Sequence, residues 1–247
     1  MVELQDPQSQ RIYPLFIKLP RSYTESPQRH YPVIYLTDAW YAFQIISGAT
    51  RYPMGFGKME EAIIVGISYS KGARGQSSRF RDYTPTRDGD WKSLTGNAAN
   101  HARFIADTVF PYIDNNYRTK TGDRTFVGNS LGGLFGAYML LTRPDMFDNY
   151  ILGSPSVWFD DDVILTMDAT PTDKKRRVFI AVGEQETPAS GNTIHDMVAG
   201  AKRLQAKFDS TKGIRLESKL LLIPEATHET AFPTAAIQGL DWLYKKS

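Results

Sequence analysis

Apolar positions in this chain form short continuous runs and longer stretches with helical spacing, and the two patterns alternate. Arg11–Leu19 and Tyr31–Thr37 read as strands, and the polar, Pro-containing turn between them predicts an antiparallel opening pair. Ala62–Ser68 is a continuous β-branched run, as a strand tends to be when helices cover both its faces. Residues 69–97, rich in Gly, Ser, Arg and Asp, predict a long loop, a feature that compact domains usually reserve for function. Asn97–Asn116 repeats core-type positions at Ala98, His101, Ile105, Val109 and Ile113. That helix should end or kink at Pro111, which has no N–H to give.

The rest of the chain keeps the alternation. Arg124–Gly128, Tyr150–Gly153, Val178–Gly183 and Lys219–Ile223 predict strands. Leu131–Thr142, Ile194–Phe208 and Thr234–Tyr244 predict helices, the first of them stopped by Pro144. Strands separated by helices imply a mostly parallel sheet with helices on both faces, whose functional residues gather at the C-terminal ends of the strands. With 247 residues and no Pro/Gly/Ser linker, the expectation is one α/β domain over 1–247 with no spare length for a large lid.

Composition changes this picture mostly by exclusion. A net charge of +2 is too small to imply nucleic acid. The densest basic cluster, Lys174-Lys175-Arg176-Arg177, reads as a solvated loop and strand entry. With no cysteine there is no thiol nucleophile, disulfide or thiolate zinc site, and both cytoplasmic and periplasmic or secreted locations stay open. The apolar runs are far short of a membrane span, no signal-peptide core opens the chain, and nothing marks an oligomeric state.

One turn stands out chemically. Gly128-Asn129-Ser130-Leu131-Gly132 is a G-x-S-x-G pentapeptide between a predicted strand and a predicted helix, the context of a nucleophile elbow. Backbone crowding at such a turn admits only glycine two residues either side, and the turn holds the serine side chain out. A serine hydroxyl needs a base to become a nucleophile. Of four histidines, His30 lies in a polar turn, His101 fits a helix pattern and His195 opens a helix. His228 directly follows the last strand, on the same sheet edge as Ser130. The acid that orients such a histidine lies between Ser and His in this order of the triad. Val178–Gly183 ends at Glu184-Gln185-Glu186, and a tight turn at Gly183 would carry Glu186 back over the strand end. Glu184 is the alternative, and Asp160, Asp161 and Asp162 are the fallback. An oxyanion needs preorganised N–H donors, expected from Leu131 and from Trp40, or else Ala39, after the Tyr31–Thr37 strand. No histidine pattern suits a metal, and Gly55-Phe56-Gly57 completes no phosphate loop, so neither metal nor cofactor is expected.

The chain resembles the "putative esterase" branch of the α/β hydrolases, with its siderophore esterases and, more distantly, feruloyl esterases and mycolyltransferases. The resemblance rests on Leu19-Pro20-Arg21-Ser22-Tyr23, Tyr31–Asp38, Ser78–Pro85, Asn115–Thr119, Gly128–Gly133, Gly153-Ser154-Pro155-Ser156 and His228-Glu229-Thr230. It implies an α/β-hydrolase fold with Ser130 as nucleophile, His228 as base and Glu186 as acid. One departure is Asp38-Ala39, where the family often has Asp-Gly. The Arg79–Pro85 segment resembles a stretch near the family's site entrance, so Arg79 or Arg81 would hold an anionic acyl or catecholate group; alternatively, Arg81 and Asp82 pin the loop. Trp40, Tyr41, Trp91 and Trp158 are candidates for an aromatic pocket or for core packing. The expected activity is serine carboxylester hydrolysis of a small or aryl, siderophore-type ester through an acyl-enzyme. Acyl transfer at the same site and a non-catalytic binding protein are the alternatives.

Overall fold

In the computed structural model, which describes residues 1–246, eight strands form one sheet in the order β1-β2-β4-β3-β5-β6-β7-β8. β1 (Val2–Gln5) and β2 (Ile12–Lys18) are antiparallel to each other, and β2 is antiparallel to β4 (Ile63–Ile67). From β4 onward the sheet is parallel, through β3 (Tyr31–Leu36), β5 (Thr119–Asn129), β6 (Asn149–Gly153), β7 (Thr172–Gly183) and β8 (Ile214–Ile223). This is the mostly parallel sheet expected from the alternation. The expected opening hairpin is absent: β2 pairs with β1 and β4, while β3 crosses over to lie between β4 and β5. A fully buried β3 leaves no polar face for an edge, so it sits in the middle of the sheet.

Alternate side chains of the central strands feed two cores. Ile34, Leu36, Ile64, Val127, Ile151 and Ala181 pack under α1 (Ala39–Ala49) and the last helix, Ala231–Tyr244. On the other face Val33, Tyr35, Val65, Phe126, Leu152 and Ile180 pack under the remaining long helices. After α1 comes the short α2 (Arg51–Gly55). The region expected to be loop holds α3 (Gly75–Tyr83), whose polar sequence hides it because its buried residues include Ser78, Arg81 and Asp82. Residues 98–116 form α4 (Ala98–Phe104), a π turn (Ile105–Val109) and α5 (Phe110–Asn116). The π turn lets the helix pass Pro111, whose missing N–H would interrupt a regular ladder. α6 (Leu131–Thr142) is apolar nearly all round and buried nearly all round. α7 (Phe159–Thr166), α8 (Met197–Ser210) and α9 (Ala231–Tyr244) complete the helices.

The basic cluster lies inside β7 rather than before it. Arg176 is buried, its Nε donating to Pro144 O at 2.7 Å and its Nη2 lying 3.0 Å from Asp145 Oδ1. That residue is a clamp on the turn after α6, not a solvated charge. None of the helices is long and apolar enough to cross a membrane among the described residues.

Candidate active site

Ser130 is the single residue between β5 and α6, with φ 58° and ψ −118°. Positive φ is costly for a residue with a Cβ, and such strain persists only where surrounding packing imposes it. Here the packing is glycine-dependent: a Cβ on Gly128 would fall 2.2 Å from Gly132 O, and one on Gly132 would fall 2.6 Å from Thr37 Oγ1. Ser130 N–H donates to Gly153 O at 2.8 Å, so the turn is also tied to the end of the neighbouring strand β6. The Ser130 hydroxyl lies 3.2 Å from Ser156 Oγ.

Glu186 and His228 meet on the same sheet edge. β7 ends at Gly183, and Glu186 N–H donates to Gly183 O at 3.0 Å, closing a turn that returns residue 186 over the strand end. The Glu186 side chain is fully buried, and its Oε2 lies 2.6 Å from His228 Nδ1. Its Oε1 accepts from Ser154 Oγ at 2.6 Å and from Gly183 N–H at 2.7 Å. A buried carboxylate is tolerable only when its lone pairs are used, and here three donors use them. His228 is 29% exposed, and with Nδ1 on the carboxylate its Nε2 is left for the cleft. Glu184 lies apart from this pair, with its Oε2 facing Glu225 N–H at 3.4 Å.

Ser130 and His228 line one cleft of about 320 Å³, together with Thr37, Asp38, Tyr41, Tyr69 and Arg79. A larger groove of about 1000 Å³ opens at the other end of the sheet, between Lys18, Arg51, Tyr52, Phe56 and Glu61. It holds no histidine or serine, so size alone would select the wrong hollow.

On the oxyanion side of the cleft, the turn after β3 runs straight into a helix. Asp38 takes the left-handed conformation, φ 55° and ψ 43°, and Ala39 is already the first residue of α1. Alanine in place of the family's glycine therefore costs no backbone strain. The N–H groups of Ala39 and Trp40 have no acceptor among the described residues, and neither has that of Leu131 at the start of α6. Helix N-termini leave such donors free by construction, and there they favour negative charge. The Trp40 indole is exposed and packs edge-on against Phe16.

Arg79 and Arg81 separate completely. Arg79 Nε donates to Asp38 Oδ1 at 2.8 Å, and its Nη2 reaches Asn129 O at 3.4 Å, so one guanidinium spans both walls of the cleft. Burial pushes the Asp38 carboxyl up, and the Arg79 charge opposes that shift. Arg81 does not reach the cleft. It is buried, clamping Asp82 with Nε at 2.8 Å and Nη2 at 2.7 Å while Nη2 also donates to Ser70 Oγ at 2.9 Å. Two residues of helix rotate a side chain by about 200°, so positions 79 and 81 of α3 must face opposite ways. Trp158 does not line the cleft either; it stacks on His195 with ring centroids 4.1 Å apart and on Trp91 at 6.1 Å. Asp160, Asp161 and Asp162 form a left-handed turn at the start of α7, with Asp162 paired to Arg203. No group of three or more His, Asp or Glu is placed to hold a metal among the described residues.

Sequence reasoning passed over the hydroxyls of Ser154 and Ser156. The available signal was their position immediately after the strand that lies between the two turns bearing Ser130 and Glu186.

Comparison with known proteins places this chain in a family. The model of the family described as "Putative esterase" matches residues 8–215. The ferri-bacillibactin esterase BesA of Bacillus subtilis is 38% identical over 170 residues, which is 63% of this chain and 57% of that protein's length. Among solved structures, the BES protein from Bacillus cereus superposes with a TM-score of 0.83 at 26% identity, covering 99% of this chain and 95% of the other. The siderophore hydrolase EstB from Aspergillus nidulans, at 20% identity, shares the fold with a TM-score of 0.80 over 99% of this chain and 93% of its own. The matched segment contains the elbow and Glu186 and stops short of His228; the chain belongs to this esterase family of the α/β hydrolases.

Proposed function

We propose that this protein hydrolyses carboxylic esters through an acyl-enzyme on Ser130. The observation that carries this reading is the Glu186–His228 pair, with a contact of 2.6 Å, whose histidine lines the same cleft as a serine held on a strained elbow. The Ser130 hydroxyl turns from Ser156 toward His228 and gives its proton to Nε2 as Oγ attacks the ester carbonyl. Glu186 holds the neutral tautomer with Nδ1–H and stabilises the imidazolium once it forms. The oxyanion is held by the free N–H groups of Leu131 and of Trp40 or Ala39, donors already in place before charge develops. The tetrahedral intermediate expels the alcohol oxygen, which takes the proton from His228. Water then gives a proton to the same nitrogen and attacks the acyl carbon, and the acid leaves as Ser130 recovers its hydrogen.

The cleft suits a small or aryl ester, because Tyr41 and Tyr69 line it beside Arg79, whose charge is already paired with Asp38. The names of the relatives, a ferri-bacillibactin esterase and a siderophore hydrolase, support a siderophore-type ester as the substrate class.

Ser130→Ala should lower turnover of a short p-nitrophenyl ester by at least about 10³-fold while the melting temperature holds, since the nucleophile is the group with no substitute. Retained turnover would overturn the reading. The same assay run across aryl esters, acetylated sugars and ferric-siderophore lactones ranks the substrates. Transesterified product with added alcohols would move the assignment to acyl transfer, and failure to react with a fluorophosphonate probe would move it to a binding protein.

A further inference from the structure

The segment Gly153-Ser154-Pro155-Ser156 touches both ends of the candidate triad, and neither the nucleophilic nor the acid–base step uses it. β6 lies between β5 and β7, so the loop after β6 sits between the turn that bears Ser130 and the turn that bears Glu186. On one side it grips the elbow through main chain: Ser130 N–H donates to Gly153 O at 2.8 Å, and Ser156 N–H donates to Ser130 O at 3.1 Å. On the other side Ser154 N–H donates to Ala181 O of β7, and the Ser154 hydroxyl donates to Glu186 Oε1, both at 2.6 Å. Ser154 is fully buried and holds φ at 38°, a conformation that a serine adopts only when the surroundings impose it.

Resting on the assignment of Ser130, His228 and Glu186 as the reacting groups, we propose that Ser154 is the positioning residue of the acid. A glutamate cannot set its own orientation, because its terminal torsion is broad and roughly two-fold. Gly183 N–H alone marks one oxygen, but a single donor still allows the carboxylate plane to swing. The Ser154 hydroxyl adds a second direction to the same oxygen, which leaves Oε2 aimed at His228 Nδ1. It also draws charge toward Oε1 and so limits how strongly Oε2 holds a proton on the imidazole. A well-aimed acid is the result, and it reaches the reaction through Glu186.

The test is a pair of variants, Ser154→Ala and Ser154→Gly, assayed against pH beside Ser130→Ala and Glu186→Gln. Both Ser154 variants should lose about tenfold in kcat with KM unchanged, the loss expected for a hydrogen bond to a charged group. The acid limb of kcat/KM should move to higher pH, because a carboxylate charge no longer shared with the hydroxyl favours the imidazolium. Glycine relieves the positive φ, so it folds even if alanine does not, and it separates hydroxyl from backbone. Wild-type kcat and pH profile in the glycine variant would overturn the role of the hydroxyl. If Ser130→Ala or Glu186→Gln stays active, the underlying assignment falls instead; if both are inactive while the Ser154 variants match wild type, only the positioning role falls.

Discussion

Two histidines in this protein lie near a buried carboxylate, and they could hardly be used more differently. Glu186 and Asp82 are both buried, at 0% and 1% exposure, so each anion must be satisfied by protein groups. Glu186 is met by two neutral donors on one oxygen, which leaves the other for His228. Asp82 is met by a guanidinium across both oxygens, with Tyr13 OH and Ser78 Oγ in addition. His101, close by, has no partner on either ring nitrogen among the described residues, and it packs against Tyr13, Tyr83, Phe104 and Phe135. The contrast teaches that burial alone does not mark a site. What marks it is a carboxylate whose charge has been left partly unspent, facing a histidine that keeps one nitrogen in the open.

That contrast is breakable from either side. On the site side, Glu186→Gln keeps the shape and removes the charge, so kcat should fall by about 10³–10⁴-fold with little change in thermal stability. A small kcat effect would mean that His228 needs no anion, and the two clusters would then differ less than proposed. On the core side, Arg81→Met strands Asp82 without its cation, and stability should fall by about 3–5 kcal/mol while the molecules that remain folded keep their kcat. Chemical denaturation with activity normalised to folded protein checks both halves; a kcat loss without a stability loss would put Arg81 in the site after all.

The smallest effect concerns His101. Burial pushes its pKa down, with Asp82 opposing. The unfolded chain therefore binds a proton below about pH 6.5 that the folded protein refuses, and stability falls as pH drops through that value toward the depressed one. His101→Phe should flatten this part of the stability curve, with phenylalanine filling a slot that is already aromatic. Melting temperatures taken from pH 7 to pH 5 decide it: an unchanged slope in the variant would assign the acid sensitivity to other groups.

What could be read from sequence follows how each element is covered. β4, β6 and the helix after Ser130 are buried on all sides and show as apolar runs; the predicted and observed spans differ by a residue or so. β8 is half exposed, alternating as Ile-Arg-Leu-Glu-Ser-Lys before its apolar end, so only Lys219–Ile223 gave a signal. α3 was invisible because its inward face is polar, paired within the fold through Ser78, Arg81 and Asp82. The candidate site was legible wherever it coincided with a strand end, which is why Ser130, Glu186 and His228 could be named. For Arg79 and Arg81 the sequence offers two open readings, of which the pairing of Arg81 with Asp82 is the one found; spacing in a supposed loop carries no direction, while spacing in a helix does.

The turn at Gly183 has a consequence for how this protein can diversify. A Cβ there would fall 2.3 Å from Ala226 O, and Gln185 N–H donates to that same carbonyl at 3.0 Å, so the segments bearing Glu186 and His228 touch backbone to backbone. Neither can gain or lose a residue without pulling its neighbour out of place. New specificities must therefore enter through other segments, above all the long connection between β4 and α4 that supplies Tyr69 and Arg79 to the cleft. A library of insertions should find its active members there and lose them at residues 183–186 and 224–228.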